Sequence, residues 1–493
     1  MPLLRHRQRL LALGLVSALA VALLGAGQPA LGQAHRPHGA AGIGDSYFPL
    51  DGNGGFDVLR YDVHDRYEFA SGRISGWTDV RLRGTASLSG FDLDFLLPVK
   101  QVLVDGKKAS FNQKRYHELA IRHRLDKGET VVVRVKYAGK PGDYSYAGES
   151  NWLADEHEVV AMNQPHMAPW WFPANDHPLD KALVDVHITV PKALDVISNG
   201  VDRGRAVHGA LATTHWSADE PMVPYLAFFA AGDFKIAQGV DNGRPWLVAV
   251  SESNKLNQAA QDTSMHLMKM TPELVDWEES VLGLDYPFSV TGGLTTSLNV
   301  GFALENQTRP TYPYMGGGEG AVLTVVHELA HQWFGDSVAV HHWKDIWLNE
   351  GFATFMENYY TETHDSNPKA SANYELRNYY DGTPGSNDFW NHEVADPCPD
   401  HVECVGPIFD TFVYQRGGMA LQALRNVVGD EDFFAILREW ATDHAGGNGA
   451  TEQFEALAEE VSGQDLDGFF QAWLHSASKP ADTAANGLGA LAP

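Results

Sequence analysis

Apolar and polar residues alternate along the first half of the chain, and the period of this alternation changes near residue 247. Between about Tyr47 and Asn242, the runs FDVLRYDVHDRYEF, GRISGWTDVRL and ETVVVRVKYAG place apolar residues at about every second position, the period of half-buried strands. The pair Asp105-Gly106 follows the strand-like run QVLV and predicts a tight hairpin turn. The pattern predicts an N-terminal β domain over residues 46–242.

After about Leu247 the apolar residues recur three and four positions apart, which is the period of amphipathic helices. The pattern is found in LNQAAQDTSMHLMKMTPELVDWEESVLG, MALQALRNVVG, DEDFFAILREWATDH and TEQFEALAEEV. It predicts a mainly helical domain over residues 243–478, so the expected fold class is a multidomain α+β chain. Residues 479–493 are rich in alanine, glycine and proline and are predicted to form a disordered tail.

The first residues have the order of a secretory signal peptide. Three arginines precede an apolar run from Leu10 to Leu24, and small, helix-breaking residues follow up to Gly32. The apolar run is shorter than a membrane-spanning helix needs, so no membrane attachment is expected after cleavage. The sequence predicts a signal peptide over residues 1–32, a flexible leader over residues 33–45, and a secreted mature protein.

Charge and cysteine content narrow the functional classes further. The formal net charge is -27, from 36 Lys+Arg against 63 Asp+Glu, and such a surface repels phosphate backbones, so nucleic acid is not an expected partner. The only two cysteines, Cys398 and Cys404, form a close pair, which in an exported protein favours a local disulfide. A thiol metal site or a nucleophilic thiol is the alternative, but no supporting ligand spacing accompanies it.

The segment VVHELAHQWFG contains a pattern that can bind a metal ion. His327 and His331 are four residues apart, so on a helix they project from one face and can share one small cation. Glu328 lies beside the first histidine, where it can reach a water on the metal without being a ligand. Taken alone, the pattern also fits a helix that contains two core histidines.

A third candidate ligand follows in the segment IWLNEGFATFMENYY, which has the pattern of a second helix. Glu350 lies near the start of this helix, with eighteen residues between it and His331, among apolar and aromatic residues. Catalytic zinc sites use three protein ligands and one open position, and two histidines with one glutamate are a recurring set. Since a buried carboxylate is costly without a cation, the three residues together favour a zinc site.

The order HELAH and then NEGFA, with eighteen residues between His331 and Glu350, resembles the gluzincin aminopeptidases, the family of aminopeptidase N and the leukotriene-type epoxide hydrolases. The resemblance extends from about Tyr61 to Leu474. It includes QPHMAPWWFPANDHPLDKALVDVHITVPKALDVISNG, PMVPYLAFFAAGDF, the exopeptidase motif in ALENQT and the tyrosine motif in YQRGGMAL. It implies a saddle-like β domain followed by a thermolysin-like zinc peptidase domain.

The resemblance also implies the residues of a peptidase site. His327, His331 and Glu350 would bind one zinc ion per chain, and the zinc would activate a water. Glu328 would act as general base, taking the proton of that water and passing it to the leaving nitrogen. Tyr414 would donate a hydrogen bond to the oxyanion formed on the substrate carbonyl. For an isolated tyrosine, a core packing role is the alternative.

Two further residues would make the enzyme an aminopeptidase. Glu305, in GFALENQT, would bind the free α-ammonium of a peptide, a charge that only the first residue carries. Gln164 occupies the position of a family Gln or Glu that helps to hold the same amine. For both residues, a place on the surface is the alternative. Peptides with a free N-terminus are therefore the expected partners, and the sequence does not indicate an oligomeric state.

Two departures from the family pattern bear on this expectation. Phe302 stands where the exopeptidase motif usually begins with glycine, which would reshape the pocket for the first side chain. The family usually continues into a helical C-terminal domain, whereas this sequence ends soon after Leu474, so an open cleft is expected. The alternatives are an epoxide hydrolase and a catalytically inactive binding protein on the same scaffold. Retention of the ligands, Glu328 and Tyr414 argues against the inactive protein.

Overall fold

Strands dominate the first half of the chain, as the alternating pattern predicts. The computed structural model describes residues 36–113, 116–252, 258–399 and 401–489, so the predicted signal peptide lies outside the described residues. The strands of this half are β1 (Phe56–Glu68), β2 (Arg73–Gly84), β3 (Phe91–Asp94), β4 (Val99–Val104), β5 (Lys107–Lys108), β6 (Ser110–Gln113), β7 (Glu118–Arg122), β8 (Thr130–Gly139), β9 (Leu153–Ala154), β10 (Val159–Ala161), β11 (Ala182–Pro191), β12 (Asp195–Ser198), β13 (Val201–His208), β14 (Leu211–Met222), β15 (Phe229–Gly232), β16 (Phe234–Asp241) and β17 (Arg244–Ser251).

The largest sheet has eight strands in the order β13-β14-β11-β1-β2-β8-β4-β5. The pair β1 and β11 is parallel, whereas the other recorded neighbours in this sheet are antiparallel. Along β1 the inward residues Tyr61 and Val63 are fully buried, and the alternate residues face the other side of the sheet. Two smaller sheets, β3-β7-β6 and β12-β15-β10-β9, complete this region.

The predicted hairpin at Asp105-Gly106 is confirmed. Asp105 and Gly106 have φ values of 48° and 76°, and Val104 pairs with Lys107 across the turn between β4 and β5. Positive φ at both central residues is the geometry of the two-residue turn that matches the twist of the flanking strands.

Helices make up most of the second half, and the mixed α+β class is confirmed. The helices and short strands of this half are α1 (Gln258–Lys269), α2 (Thr271–Leu282), β18 (Thr291–Thr295), β19 (Thr311–Tyr312), α3 (Glu319–Ala330), β20 (Ala339–Val340), α4 (Trp347–His364), α5 (Ala372–Gly382), α6 (Val405–Ile408), α7 (Thr411–Val428), α8 (Asp430–Asp443), β21 (Asn448–Gly449), α9 (Thr451–Ser462) and α10 (Asp467–Trp473).

The proposed domain boundary after residue 242 falls in the turn between β16 and β17. These two strands pair antiparallel from Phe234↔Ser251 to Asp241↔Arg244, and β17 then pairs in parallel with β18. The sheet β16-β17-β18-β19 therefore continues across the boundary that the change of period suggests.

Helices α4 and α7 are brought together by glycines at their contact. A Cβ atom added to Gly351 would lie 2.9 Å from the carbonyl carbon of Gly417, and one added to Gly417 would lie 2.9 Å from Cα of Gly351. No real Cβ contact is that short, so the two backbones approach as closely as they do only because both residues are glycine. The contact fixes the neighbouring Glu350 and the first turn of α7 relative to each other.

The expectation of a disordered tail is wrong for residues 479–489, which pack against the helical region. Lys479 Nζ donates to the carbonyl oxygens of Tyr380 at 2.6 Å and Thr383 at 2.9 Å, and Leu488 is fully buried. The alanine- and glycine-rich composition conceals these anchoring side chains. Residues 490–493 lie outside the described part of the chain.

The flexible leader is also not observed for residues 36–45. The backbone N–H of Gly39 donates to the carbonyl oxygen of Gly90 at 2.9 Å, and the buried Asp45 carboxylate accepts from the N–H of Trp343 at 2.9 Å. These long-range contacts order a segment whose composition is typical of a loop. Residues 33–35 lie outside the described residues.

Cys398 and Cys404 are joined in a disulfide with their Cα atoms 6.4 Å apart, as their spacing suggests. Within the described residues, no helix is both long enough and apolar enough to cross a membrane.

Candidate active site

The two histidines lie at the C-terminal end of α3. His327 is in the last turn and His331 follows the end of the helix, while Val325, Val326 and Leu329 anchor the helix in the core. Because the histidines are four residues apart, both rings project from the same face. Glu350, in the first turn of α4 and only 2% exposed, lies opposite them, as the sequence predicts.

The three side chains have the arrangement that a zinc ion requires. Nε2 of His327 and Nε2 of His331 each lie 3.3 Å from Oε2 of Glu350. Two ligand atoms bound to zinc at 2.0–2.1 Å with tetrahedral angles would be about 3.3 Å apart, so the donor set fits zinc in identity and in spacing.

Hydrogen bonds at the other ring nitrogens orient both imidazoles. Nδ1 of His331 donates to the carbonyl oxygen of Phe334 at 3.0 Å, so in the neutral ring the lone pair is on Nε2. Nδ1 of His327 lies 2.6 Å from Oε1 of Glu357, a carboxylate farther along α4. Partners of this kind fix the tautomer and the ring direction of metal-binding histidines.

Opposite charges are concentrated in this group. Burial opposes a charge on the ring of His331, but the Glu350 carboxylate outweighs burial and raises the pKa of His331 to about 9. Burial acts to raise the pKa of Glu350, but His331 and His327 outweigh it and lower the pKa to about 2. Glu350 therefore carries a negative charge at neutral pH, as a ligand for a cation should.

Glu328 lies in the same cavity but outside the group of three ligands. Its side chain is 5% exposed, and one of its carboxylate oxygens lies within 4.8 Å of ligand-type atoms of Glu305 and His331. Burial raises the pKa of Glu328 to about 8, and the nearby imidazoles limit the rise. A carboxylate with a pKa near neutrality can both accept and release a proton under physiological conditions.

Tyr414, in the first turn of α7, faces the ligand group. Its ring is nearly parallel to the ring of His327, with centroids 6.0 Å apart. Burial, together with the carboxylates of Glu350 and Glu305, raises the pKa of Tyr414 well above its usual value. The phenol therefore stays protonated and is a hydrogen-bond donor at neutral pH.

A second carboxylate, Glu305, is held at the other end of the group. The hydroxyl of Tyr225 donates to its Oε1 at 2.7 Å, and Nε2 of Gln164 donates to the same atom at 2.9 Å. Glu305 is 2% exposed, and burial raises its pKa. Two neutral donors thus fix the position of the carboxylate.

All seven residues predicted from the sequence line one cavity of about 350 Å³. Phe302, Ala303 and Phe409 complete the lining and give it an apolar side. Phe302, the residue that departs from the family motif, is 43% exposed and lies at this side. The predicted residues are Gln164, Glu305, His327, Glu328, His331, Glu350 and Tyr414.

Two residues of the site were not identified from the sequence. Glu357 follows Glu350 by seven residues, which is two helical turns, so the spacing places both on one face of α4 and could have revealed it. Tyr225 is 80 positions from Glu305, and no local pattern connects them.

Comparisons with known proteins agree with this geometry. The family model described as "Peptidase family M1 domain" matches residues 309–473. Aminopeptidase M1-D of Oryza sativa subsp. japonica is 26% identical over 452 residues, which cover 85% of this chain and 50% of that protein. Human glutamyl aminopeptidase is 27% identical over 346 residues, which cover 65% of this chain and 34% of that protein. The chain thus spans half the length, or less, of these curated relatives.

A solved structure extends the likeness over almost a whole chain. The M1 zinc metallopeptidase of Deinococcus radiodurans, as a glutamate-to-alanine mutant bound to the substrate Tyr-Ser-Ala, superposes with a TM-score of 0.74 and 26% identity. The match covers 88% of this chain and 97% of that one. In its fold, its matched domain and its ligand geometry, the chain is similar to the M1 zinc metallopeptidases.

Proposed function

We propose that this protein is a zinc-dependent aminopeptidase that removes N-terminal residues from peptides. The observation that carries the proposal is the position of Glu305, whose carboxylate lines the same cavity as His327, His331 and Glu350. A metal-binding group explains peptide hydrolysis, and a buried carboxylate beside it explains why the substrate should present a free ammonium.

His327, His331 and Glu350 would hold the zinc ion, since their donor atoms have the identity and the separation that zinc prefers. When bound, zinc lowers the pKa of a water molecule and polarises the carbonyl of the substrate.

Glu328 supports the proton transfers of the reaction. Its carboxylate accepts a proton from the attacking water and delivers it to the nitrogen of the leaving peptide. Burial raises the pKa of Glu328 above that of an ordinary carboxyl, which favours a group that both accepts and releases a proton near neutral pH.

Tyr414 stabilises the charge that develops on the substrate carbonyl oxygen. Its phenol is kept protonated by burial, so the hydroxyl donates a hydrogen bond to that oxygen. A donor fixed in advance in a buried site is worth more than the same donor in water, because no reorganisation is needed as the charge forms.

Glu305 binds the α-ammonium of the substrate. Its Oε1 is held by Tyr225 and Gln164, so the carboxylate is positioned before the substrate arrives. Gln164 also presents its side chain to the cavity and contributes a polar contact at the same end. An internal peptide bond has no charged amine to offer, so this contact favours cleavage at the first residue.

The same proposal includes export of the protein through its N-terminal segment. The basic start, the apolar run and the small residues before Gln33 support a signal peptide. Expression in the source cells followed by intact-mass analysis of the extracellular protein should give a chain that begins near Gln33. An uncleaved chain retained inside the cells would contradict the export proposal and leave the peptidase proposal untouched.

A panel of fluorogenic aminoacyl amides tests the activity. The zinc-loaded protein should hydrolyse several members, lose activity on chelation and regain it when zinc is restored. Zinc-loaded, folded protein that hydrolyses no amide or peptide in the panel would overturn the proposal.

A further inference from the structure

A second group of histidine and aspartate side chains lies on the β sheet, on strands outside the cavity described above. Asp62 and His64 belong to β1, and His187 belongs to the parallel neighbour β11. In the register of this pair His64 is directly opposite His187. The alternate residues of β1 face the core, so these side chains share the opposite, solvent-accessible face of the sheet.

The donor atoms of this group repeat the arrangement of the active site. One oxygen of Asp62, Oδ1, lies 3.0 Å from Nε2 of His64 and 3.3 Å from Nε2 of His187. In the active site, one oxygen of Glu350 lies 3.3 Å from each of two imidazole Nε2 atoms. All ligand atoms of the sheet group lie within 4.8 Å of one another.

Oδ1 of Asp62 is sealed from solvent and faces both imidazole Nε2 atoms, while the Asp62 side chain as a whole is 36% exposed. One carboxylate oxygen is therefore shared by two ring nitrogens, so a cation placed among the three atoms would contact all of them.

We propose that Asp62, His64 and His187 form a second metal site that binds a divalent transition-metal ion of the zinc type. Two imidazoles and one carboxylate are the donors that favour zinc over calcium or magnesium, which prefer oxygen ligands alone. The site joins β1 to β11, the parallel pair that links β13-β14-β11 to the other five strands of the sheet. A metal ion there would cross-link the sheet at this seam.

The rings must turn slightly to bind the ion. His64 and His187 are stacked with centroids 4.1 Å apart and planes within 5°, so their lone pairs run side by side. The side chains are 27% and 22% exposed, and their other faces stack on Trp77 and His215, so rotation about the Cβ–Cγ bonds toward Asp62 requires these two neighbours to adjust.

A neighbouring histidine provides a matched control. His215 lies opposite His187 on β14 and stacks on it at 3.9 Å, but its Nε2 is hydrogen-bonded to Oδ1 of Asp185 at 3.0 Å. Asp185 is also paired with Arg60. His215 therefore shares the ring stack without belonging to the ligand group.

A different buried group, Asp45, His177 and His342, does not present the nitrogen lone pairs that a metal ion needs. The N–H of Leu179 donates to Nδ1 of His177 at 3.1 Å, so the proton of the neutral ring is on Nε2, which faces Asp45. This nitrogen has no lone pair to offer, and Asp45 also accepts from Trp343.

Metal stoichiometry of the mature chain tests the second site. After equilibration with buffered free zinc and desalting, we expect two equivalents per chain in the unmodified protein and in His215→Gln. We expect one equivalent in His187→Gln and one in Glu350→Ala, which lacks an active-site ligand, and none in the double variant. The equivalent left at the active site shows that His187→Gln is folded.

A spectroscopic measurement isolates the site from the active site. Cobalt added to Glu350→Ala should give visible d–d absorption and raise Tm, and both effects should disappear in Glu350→Ala combined with His187→Gln. One equivalent in the unmodified chain, or a second equivalent that persists in His187→Gln, would overturn the proposal. Neither result would affect the aminopeptidase proposal, which depends on other residues.

Discussion

Nδ1 of His327 lies 2.6 Å from Oε1 of Glu357, two helical turns after Glu350 on the same helix. One face of α4 thus contributes both the carboxylate proposed to bind zinc and the carboxylate that contacts an imidazole proposed to bind the same ion. The contact raises the electron density at the ring and fixes the direction of its Nε2 atom.

Replacing Glu357 with Gln should weaken zinc binding without removing a ligand. Loss of such a partner typically reduces metal affinity about 10–100-fold. Competition with a chromophoric chelator would measure the change, and Glu362→Gln, which removes a carboxylate from the same helix away from the histidines, should bind zinc as the unmodified protein does. Equal affinities of the Glu357 and Glu362 variants would show that the contact does not support the ligand.

Glu328→Gln should separate metal binding from proton transfer. The variant keeps His327, His331 and Glu350, so it should bind one zinc ion at the active site, yet lose most of its turnover because the proton acceptor is gone. Glu350→Ala should instead lose this zinc. Metal analysis beside kcat measurements distinguishes the two, and a Glu328 variant without active-site zinc would show that Glu328 is a ligand.

Tyr414→Phe removes one hydroxyl and almost no volume. Loss of a comparable oxyanion donor costs about 2.7–4 kcal/mol, so kcat should fall roughly a hundredfold or more. KM should change little, because the hydrogen bond forms mainly in the transition state. An unchanged kcat would assign Tyr414 to packing alone.

Tyr225→Phe should move the acid limb of the pH profile. Burial raises the pKa of Glu305, and the hydrogen bond from the Tyr225 hydroxyl acts in the opposite direction by stabilising the ionised carboxylate. Removing that donor therefore raises the pKa, and substrate binding, which needs the ionised form, is lost at a higher pH than before. A hydrogen bond to a charged group contributes about 1.5–3 kcal/mol, and one pKa unit is about 1.4 kcal/mol, so the limb of kcat/KM should move up by about 1–2 pH units. A profile that does not move would show that Tyr225 has no influence on the ammonium site.

The predictability of the site follows from how far apart in sequence its residues are. His327 and His331 could be identified because one helical turn brings them together, and Glu350 because it begins the next helix. The same helical spacing relates Glu357 to Glu350, but no sequence motif includes Glu357. The contact between Tyr225 and Glu305 depends on packing between distant segments, so no local pattern predicts it.

The two ends of the described region show where a prediction from composition fails. Composition predicted a flexible leader and a disordered tail, yet Asp45 and Leu488 are buried in specific contacts. Composition reports the average tendency of a segment, whereas one buried side chain with fitting partners is enough to hold it. The hairpin at Asp105-Gly106 was predictable because its geometry depends on two adjacent residues and not on distant contacts.

Comparison of a free and an N-acetylated peptide of the same sequence tests the central claim most directly. Acetylation removes the ammonium and leaves the Glu305 carboxylate buried without its partner, a loss of about 3–5 kcal/mol. The account predicts that kcat/KM for release of the first residue falls by about two to four decades. In Glu305→Gln the free peptide should be cleaved poorly and acetylation should matter far less. Comparable cleavage of the free and the acetylated peptide by the unmodified enzyme would contradict the aminopeptidase account.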